Sequence, residues 1–189
     1  MAAQAGCLSI VDSVTGLAGV ELLVDEWAAD VTYSGTQKCL SAPPGISLIT
    51  FSDKAAARVQ SRNTPVQSWF LDLSLLMAYW QGEGARTYHH TAPVNAMYGL
   101  HEALLMVKQE GIENARQRHW DMHGLLAEGV RSLGLDFIVA AECRLPQLNL
   151  VRCPEGLDEA AVRRSLLEEY NLEIGAGLGA FAGLSLIHI

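Results

Sequence analysis

The segment Ser34-Gly-Thr-Gln-Lys38-Cys-Leu-Ser-Ala-Pro-Pro-Gly45 contains the most informative lysine of the sequence, and it follows a short predicted strand, Val31-Thr-Tyr33. Its two prolines and final glycine predict a rigid, non-helical turn soon after Lys38. A lysine held in a partly desolvated pocket has its ammonium form disfavoured, so it can act as an amine nucleophile. The same pattern also fits a solvated surface lysine after a turn.

A carboxylate elsewhere in the chain makes Lys38 more informative. The apolar residues 7–11 predict a buried strand, and Asp12 follows directly, at the edge of an α/β sheet where ligands bind. Pyridoxal phosphate chemistry requires one lysine that forms a Schiff base and one aspartate that pairs with the protonated pyridine nitrogen. Asp12 and Lys38 fit these two roles, although Asp12 taken alone fits a turn or cap residue equally well.

Short apolar runs alternate with helical patterns along the chain, which favours an α/β fold with a mostly parallel sheet. We expect residues 1–110 to form part of a large domain with this sheet, and residues 111–189 to form a smaller, incomplete α/β domain. Ser52 is expected to cap a helix, and Thr91 and Pro93 to open the most regular one. The other expected strands are 31–33, 47–51, 137–139, 148–151 and 172–174. The expected helices are 53–61, 94–110 with Gly111 stopping or bending it, 112–133, and one that begins at Gly156 or Asp158 and ends at Tyr170.

The composition is that of a globular protein, and it argues against several classes. The 189 residues carry a net charge of −8 without a run of Lys or Arg, so a nucleic-acid partner is not expected. No uncharged apolar stretch reaches the roughly 18 residues of a transmembrane helix and no leader is recognisable, so we expect a cytoplasmic protein without a membrane partner. The four cysteines match no zinc pattern and are interpreted as free thiols, and no metal site is expected.

Three motifs together resemble one enzyme family. They are Val11-Asp-Ser-Val-Thr-Gly-Leu-Ala-Gly19, Tyr33-Ser-Gly-Thr-Gln-Lys-Cys-Leu-Ser-Ala-Pro-Pro-Gly45 and Tyr88-His-His-Thr-Ala-Pro93. In this order they resemble the class V aminotransferases, and most closely the alanine–glyoxylate and serine–pyruvate aminotransferase group, over about residues 7–183. The resemblance implies the type I fold of pyridoxal-phosphate-dependent transferases. It also implies ping-pong transfer of an amino group from alanine or serine to glyoxylate or pyruvate.

The resemblance implies roles for the residues around the cofactor. Lys38 would form the Schiff base and then move a proton between the substrate and the cofactor. Asp12 would hold the pyridine nitrogen, Val14 would pack on one face of the ring, and Gln37 would reach the phosphate.

The third motif is expected to act across a subunit boundary. The resemblance implies that Tyr88 and Thr91 reach the phosphate of the cofactor bound to the neighbouring subunit, so that a homodimer completes the site. The two histidines between them are expected to be loop residues beside a helix cap, since no Cys or carboxylate stands at metal-ligand spacing.

Related enzymes remain as alternatives within the same fold. Cysteine desulfurases carry a histidine before the lysine, where this chain has Gln37, so that function is disfavoured. Phosphoserine aminotransferases have a similar Gln-Lys pair without the Tyr-His-His-Thr-Ala-Pro motif. The sequence does not decide against serine–glyoxylate or ureidoglycine–glyoxylate aminotransferase activity, so both remain alternative functions.

The family pattern extends beyond both ends of this sequence. The resemblance implies a phosphate-binding loop before residue 7 and an arginine-bearing strand after Gly183, where this chain reads Leu184-Ser-Leu-Ile-His-Ile189. We therefore expect a fragment, and we hypothesise that its last six residues are a foreign tail. The alternative is a truncated, non-catalytic remnant or structural partner subunit of the same fold. Low solubility is expected, because sheet edges and apolar surface would be exposed.

Overall fold

The computed structural model describes residues 3–81 and 87–188. The chain divides into two compact units: Met1–Val14, Leu23–Gln37 and Ala42–Glu102 form the first, and Thr15–Leu22, Lys38–Ser41 and Ala103–Ile189 form the second. The domain boundary expected between residues 110 and 111 stays a prediction. Among the described residues, no helix is both long and apolar enough to span a bilayer.

The described residues form both strands and helices, as the sequence predicts, but three strands come before the first α-helix and four α-helices then follow one another without an intervening strand. In chain order the strands are β1 Ile10–Asp12, β2 Val31–Gly35, β3 Ser47–Phe51, β4 Asn149–Arg152, β5 Gly175–Ala176 and β6 Ser185–His188. The α-helices are α1 Asp53–Gln60, α2 Leu73–Gln81, α3 Val94–Glu110, α4 Ile112–Ser132 and α5 Glu159–Tyr170. The sequence pattern does not indicate α2, because its apolar residues are not confined to one face.

The first unit contains a three-stranded sheet in the order β1-β2-β3. β1 and β2 run parallel with Asp12 paired to Tyr33, whereas β2 and β3 run antiparallel. The mostly parallel sheet expected from the sequence is therefore seen in only one of these two pairings. The reason is that residues 36–46 form a connection without a helix, and parallel neighbours need a longer crossover.

β1 is shorter and more exposed than the buried strand expected over residues 7–11. It comprises Ile10–Asp12, and Ile10 is 68% exposed. Within the described residues, β1 lies at the edge of its sheet and pairs only with β2. It nevertheless ends at Asp12, which leaves the carboxylate exposed at the carboxyl end of the strand, as the sequence predicts.

Asp30 ties together three parts of the first unit. Its carboxylate accepts hydrogen bonds from the Ser9 N–H at 2.9 Å, the Ser9 hydroxyl at 3.2 Å and the Ser52 hydroxyl at 3.0 Å. Ser52 also caps α1, as predicted, by accepting from the Ala55 N–H at 3.1 Å. The Ser9 N–H is the main cause that lowers the pKa of Asp30. One carboxylate thus connects residues beside β1, β2 and α1.

α3 begins and ends close to its predicted limits. The Pro93 carbonyl accepts from the Met97 N–H at 3.0 Å, whereas the hydroxyl of Thr91, expected to cap this helix, is bonded to Tyr88. Gly111 separates α3 from α4 with a φ of 87°, a conformation that favours glycine. The predicted break at this glycine is confirmed.

The second unit contains an antiparallel sheet in the order β4-β6-β5. Phe137 packs with Ala127 and Val130 of α4 and forms a single bridge with Val151. The strand expected at 137–139 does not form, because the Val139 carbonyl accepts from the Arg144 Nε at 2.7 Å instead of continuing the ladder.

The last predicted strand, at 172–174, is also absent from the structure. Asn171 closes α5 in the left-handed conformation, and the Leu172 N–H returns to the Leu166 carbonyl at 3.1 Å. The backbone here therefore caps a helix, and β5 begins only at Gly175. β6, which includes most of the hypothesised foreign tail, is the central strand of its sheet with Ser185 fully buried. The origin of these residues stays a hypothesis.

Candidate active site

Asp12 and its hydrogen-bond partners Val14 and Tyr33 are called the Asp12 corner. Oδ1 of Asp12 accepts from the Val14 N–H at 2.9 Å, and Oδ2 accepts from the Tyr33 hydroxyl at 2.8 Å. Each carboxylate oxygen thus has one donor, one from the turn after β1 and one from the neighbouring strand β2. Because each oxygen keeps a free lone pair, the group can still accept a hydrogen bond from a cationic ligand.

The backbone beneath the Asp12 corner is fixed by two serines. The N–H and the hydroxyl of Ser13 both donate to the Tyr33 carbonyl, at 2.9 and 2.8 Å. The buried Ser34 hydroxyl donates to the Ser13 carbonyl at 3.0 Å. These bonds extend the β1–β2 pairing by one residue, so they fix the relative position of Asp12 and Tyr33.

Tyr33 is the residue of this corner that the sequence prediction does not include. Its hydroxyl donates to a carboxylate, and this hydrogen bond is the main cause that raises the pKa of Tyr33 above its usual value. The phenol therefore stays protonated at neutral pH and keeps donating. The parallel register that pairs Asp12 with Tyr33 is the signal that would have indicated it, but strand partners are not readable from one sequence.

Gln37 lies at the exposed end of β2, within the first unit. Its Oε1 lies 2.7 Å from the position that a Cβ on Gly35 would occupy, so the side chain folds back over this glycine. The fully buried Thr36 donates from its hydroxyl to the Pro43 carbonyl at 2.7 Å and accepts at its carbonyl from the Ala42 N–H at 3.0 Å. Thr36 thus closes the loop in which the Gln-Lys pair lies.

Lys38 belongs to the second unit and is half-buried. Its carbonyl accepts from the Ser41 N–H at 2.9 Å, which makes a tight turn of residues 38–41. Within the described ranges, no carboxylate forms an ion pair with its ammonium group. The neighbouring Cys39 donates to the Thr15 carbonyl at 3.4 Å, and burial raises the pKa of its thiol. The thiol therefore stays protonated at neutral pH, whereas the lysine amine is not tied to any carboxylate.

The 88–91 loop brings two predicted site residues together. The hydroxyls of Tyr88 and Thr91 lie 2.7 Å apart, and Tyr88 is 64% exposed. His89, only 3% exposed, stacks on Trp69 with ring centroids 4.2 Å apart, and its Nε2 donates to the Trp69 carbonyl at 3.1 Å. Its Nδ1 lies 2.8 Å from the Nδ1 of His90. His89 therefore anchors the loop. The sequence predicts only that it is a loop residue beside a helix cap, and does not predict this anchoring role.

Other features of the described residues lie apart from these groups. A cavity of about 580 Å³ lies between the end of α1 and the start of α2, and none of the predicted site residues lines it. No cluster of three or more metal-ligating side chains occurs in the described part of the chain. The four cysteines are free thiols.

Comparison with known proteins gives the same family as the three sequence motifs. The family model described as aminotransferase class-V matches residues 1–181. The chain belongs to the class-V aminotransferase family. The alanine–glyoxylate aminotransferase of Rattus norvegicus is 43% identical over 175 residues, which are 92% of this chain and 42% of that protein.

Solved structures of class-V aminotransferases share the fold. The alanine–glyoxylate aminotransferase from Nostoc sp. is similar with a TM-score of 0.91 and 44% identity, over 98% of this chain and 49% of that chain. The ureidoglycine–glyoxylate aminotransferase from Bacillus subtilis is similar with a TM-score of 0.90 and 36% identity, over 98% and 48% of the two chains. The α/β, type I fold expected from the resemblance is therefore confirmed. This chain spans less than half the length of each of these relatives.

Proposed function

We propose that this protein is a pyridoxal-phosphate-dependent transaminase that moves an amino group from a small amino acid to glyoxylate. The observation that carries the proposal is the Asp12 corner, an aspartate held at a strand end in a chain of the class-V aminotransferase family. Glyoxylate as acceptor is supported by the names of the relatives, which include alanine–glyoxylate and ureidoglycine–glyoxylate enzymes. Alanine or serine is the proposed donor, and ureidoglycine is the alternative.

The chemistry of the available donors and acceptors fits the cofactor. Asp12 offers a carboxylate with free lone pairs, which suits a protonated ring nitrogen, and the exposure of the corner leaves it accessible. When bound, pyridoxal phosphate supplies an aldehyde that condenses with amines and a ring that withdraws electrons from the substrate carbon. Asp12 would keep that ring protonated, and Val14, half-buried beside it in sequence, would pack against one face of the ring.

Lys38 is the proposed catalytic residue. Its amine would hold the cofactor covalently and, once the substrate amine has displaced it, would take a proton from the substrate Cα and return it to the cofactor. Lys38 has no ion pair among the described residues, which suits this exchange, because the amine can lose and regain a proton without breaking a salt bridge there. Since the donor product leaves before the acceptor enters, the same lysine would serve both half-reactions in a ping-pong order.

Phosphate binding is proposed to involve two regions. Gln37 would donate from its carboxamide to the phosphate, and the hydroxyls of Tyr88 and Thr91 would donate to the phosphate bound by a second subunit.

The proposed homodimer is also supported by large apolar side chains on the exposed surface of the first unit, which another chain would cover. They include Trp69, Phe70 and Leu71, each more than half exposed.

The test measures glycine formed from glyoxylate with alanine, serine or ureidoglycine as donor, using the purified protein and added pyridoxal phosphate. We expect alanine or serine to support turnover, and Lys38→Ala to abolish it. Lys108→Ala, an exposed lysine on α3, is the matched control and should retain full activity. Absence of glycine with all three donors would reject the proposed function. The cytoplasmic location stays a prediction that this assay does not address.

A further inference from the structure

The Tyr33 side chain makes one polar contact that the proposed reaction does not yet use. Its hydroxyl donates to Oδ2 of Asp12 at 2.8 Å, while the residue as a whole is 36% exposed. A phenol at such a position could reach water, so its engagement with the carboxylate is not forced by burial. The serine hydrogen bonds beneath it, from Ser13 and Ser34, hold both backbones in place.

We propose that Tyr33 is a positioning residue for the cofactor, acting through the Asp12 carboxylate that pairs with the pyridine nitrogen. This inference rests on the proposed function and deepens it. Tyr33 itself does not touch the reacting atoms; it fixes the orientation of the aspartate.

The geometry explains why a second donor is needed. The Val14 N–H holds only Oδ1, so without Tyr33 the carboxylate would keep one fixed oxygen and one free oxygen. The terminal torsion of an aspartate is broad and soft, so a single hydrogen bond defines its plane poorly. With one donor on each oxygen, the plane is fixed by two separate elements, the turn after β1 and strand β2. Charge-assisted hydrogen bonds of this kind are short and directional.

The test compares how tightly wild type and Tyr33→Phe bind two cofactors, by titration of absorbance. Pyridoxal phosphate has the ring nitrogen, and its deaza analogue carries C–H in that place and cannot pair with Asp12. We expect Tyr33→Phe to weaken binding of pyridoxal phosphate about 3- to 10-fold, the range of one hydrogen bond to a charged group at a partly exposed site. Binding of the deaza analogue should not change.

Controls separate this inference from a structural effect. Tyr98→Phe, an exposed tyrosine of α3, should leave both affinities unchanged. In an Asp12→Ala background, the Tyr33→Phe change should have no further effect, because the residue through which it acts is gone. If Tyr33→Phe weakens both cofactors alike, or weakens neither, or still acts without Asp12, the inference is wrong.

The same experiment distinguishes failure of the proposed function from failure of the positioning role of Tyr33. A visible absorbance band that requires Lys38 must appear when wild type binds pyridoxal phosphate. If no such band appears, the proposed function fails, and the positioning role fails with it. If the band appears but Tyr33→Phe behaves as wild type, only the positioning role fails.

Discussion

The Asp12 corner and the 88–91 loop organise their polar groups in different ways. At the corner, the carboxylate receives its donors from a turn and from a neighbouring strand, so its orientation is set by the sheet. In the loop, the hydroxyls of Tyr88 and Thr91 bond to each other. A ligand can therefore join the corner without rearrangement, whereas it must break or redirect the hydroxyl pair in the loop.

The two regions also differ in what holds them. The backbone of the corner is held by β1–β2 pairing and by serine side chains, whereas the loop is held by one buried histidine stacked on Trp69. The orientation of the Asp12 carboxylate is therefore set by the backbone and strand pairing of this chain. The backbone of the loop is held in place, but the hydroxyls of its two exposed residues, Tyr88 and Thr91, bond only to each other within the described part of the chain.

Asp12→Asn tests the corner with the largest expected effect. The amide keeps the shape but loses the negative charge that would hold the pyridine nitrogen protonated, so we expect turnover to fall roughly 100-fold or more. Steady-state kinetics of glycine formation measure it. Asp53→Asn, an exposed aspartate at the start of α1, is the matched control. Equal activity of Asp12→Asn and wild type would remove the corner from the mechanism.

His89→Ala tests what holds the loop. The change removes the stacked ring and one donor to the Trp69 carbonyl, which keeps the Asp72 N–H at 3.2 Å, so we expect a loss of about 1–3 kcal/mol in the free energy of unfolding. Urea denaturation measures this, with the exposed His101→Ala as control. An unchanged unfolding midpoint would show that the histidine does not anchor the loop.

Asp30→Asn tests whether β1, which carries Asp12, depends on a charged anchor. The pKa of Asp30 is lowered from an unfolded value near 3.8, mainly by the Ser9 N–H. Its carboxylate therefore stabilises the fold above that pH, and the contribution is lost as the pH falls through the lower folded pKa. In thermal unfolding below about pH 4, wild type should lose stability more steeply than Asp30→Asn. Parallel pH profiles would contradict this.

Gly35→Ala should have the smallest effect and act on one side chain. A Cβ at this position would lie 2.7 Å from Oε1 of Gln37, and this flexible side chain can move away at little cost in stability. We expect affinity for pyridoxal phosphate to fall only a few-fold, since one hydrogen bond from the Gln37 carboxamide to the phosphate is weakened at an exposed site. Fluorescence titration measures the affinity, and Gly124→Ala, which meets open space, is the control. A large fall in the unfolding midpoint would mean that the side chain cannot move.

Local signals in the sequence predicted much of the fold. The Ser52 cap and the break at Gly111 each rest on one or two neighbouring residues, and both are confirmed. Of the two starts expected for α5, Gly156 and Asp158, the structure has Asp158 as the cap. The strands at 137–139 and 172–174 were wrong because Arg144 and Asn171 redirect the backbone there. These effects depend on which carbonyl a side chain or a helix end reaches.

The candidate site was predictable to a different extent. Its residues came from three motifs and their resemblance to a family, and their roles stay predictions. The roles of Tyr33 and His89 were not recognised, because each depends on a hydrogen bond to a partner about 20 positions away in sequence. Strand register and aromatic stacking bring those partners together, and neither can be predicted from the residues next to each position.

The most direct test of the account is to locate the covalent attachment of the cofactor. This chain contains three lysines, Lys38, Lys54 and Lys108. Borohydride would reduce the bond between the bound cofactor and its lysine, and peptide mass spectrometry would then locate the phosphopyridoxyl group. We expect the group on Lys38 alone, and none in Lys38→Ala. Attachment to Lys54 or Lys108, or no attachment at all, would contradict it.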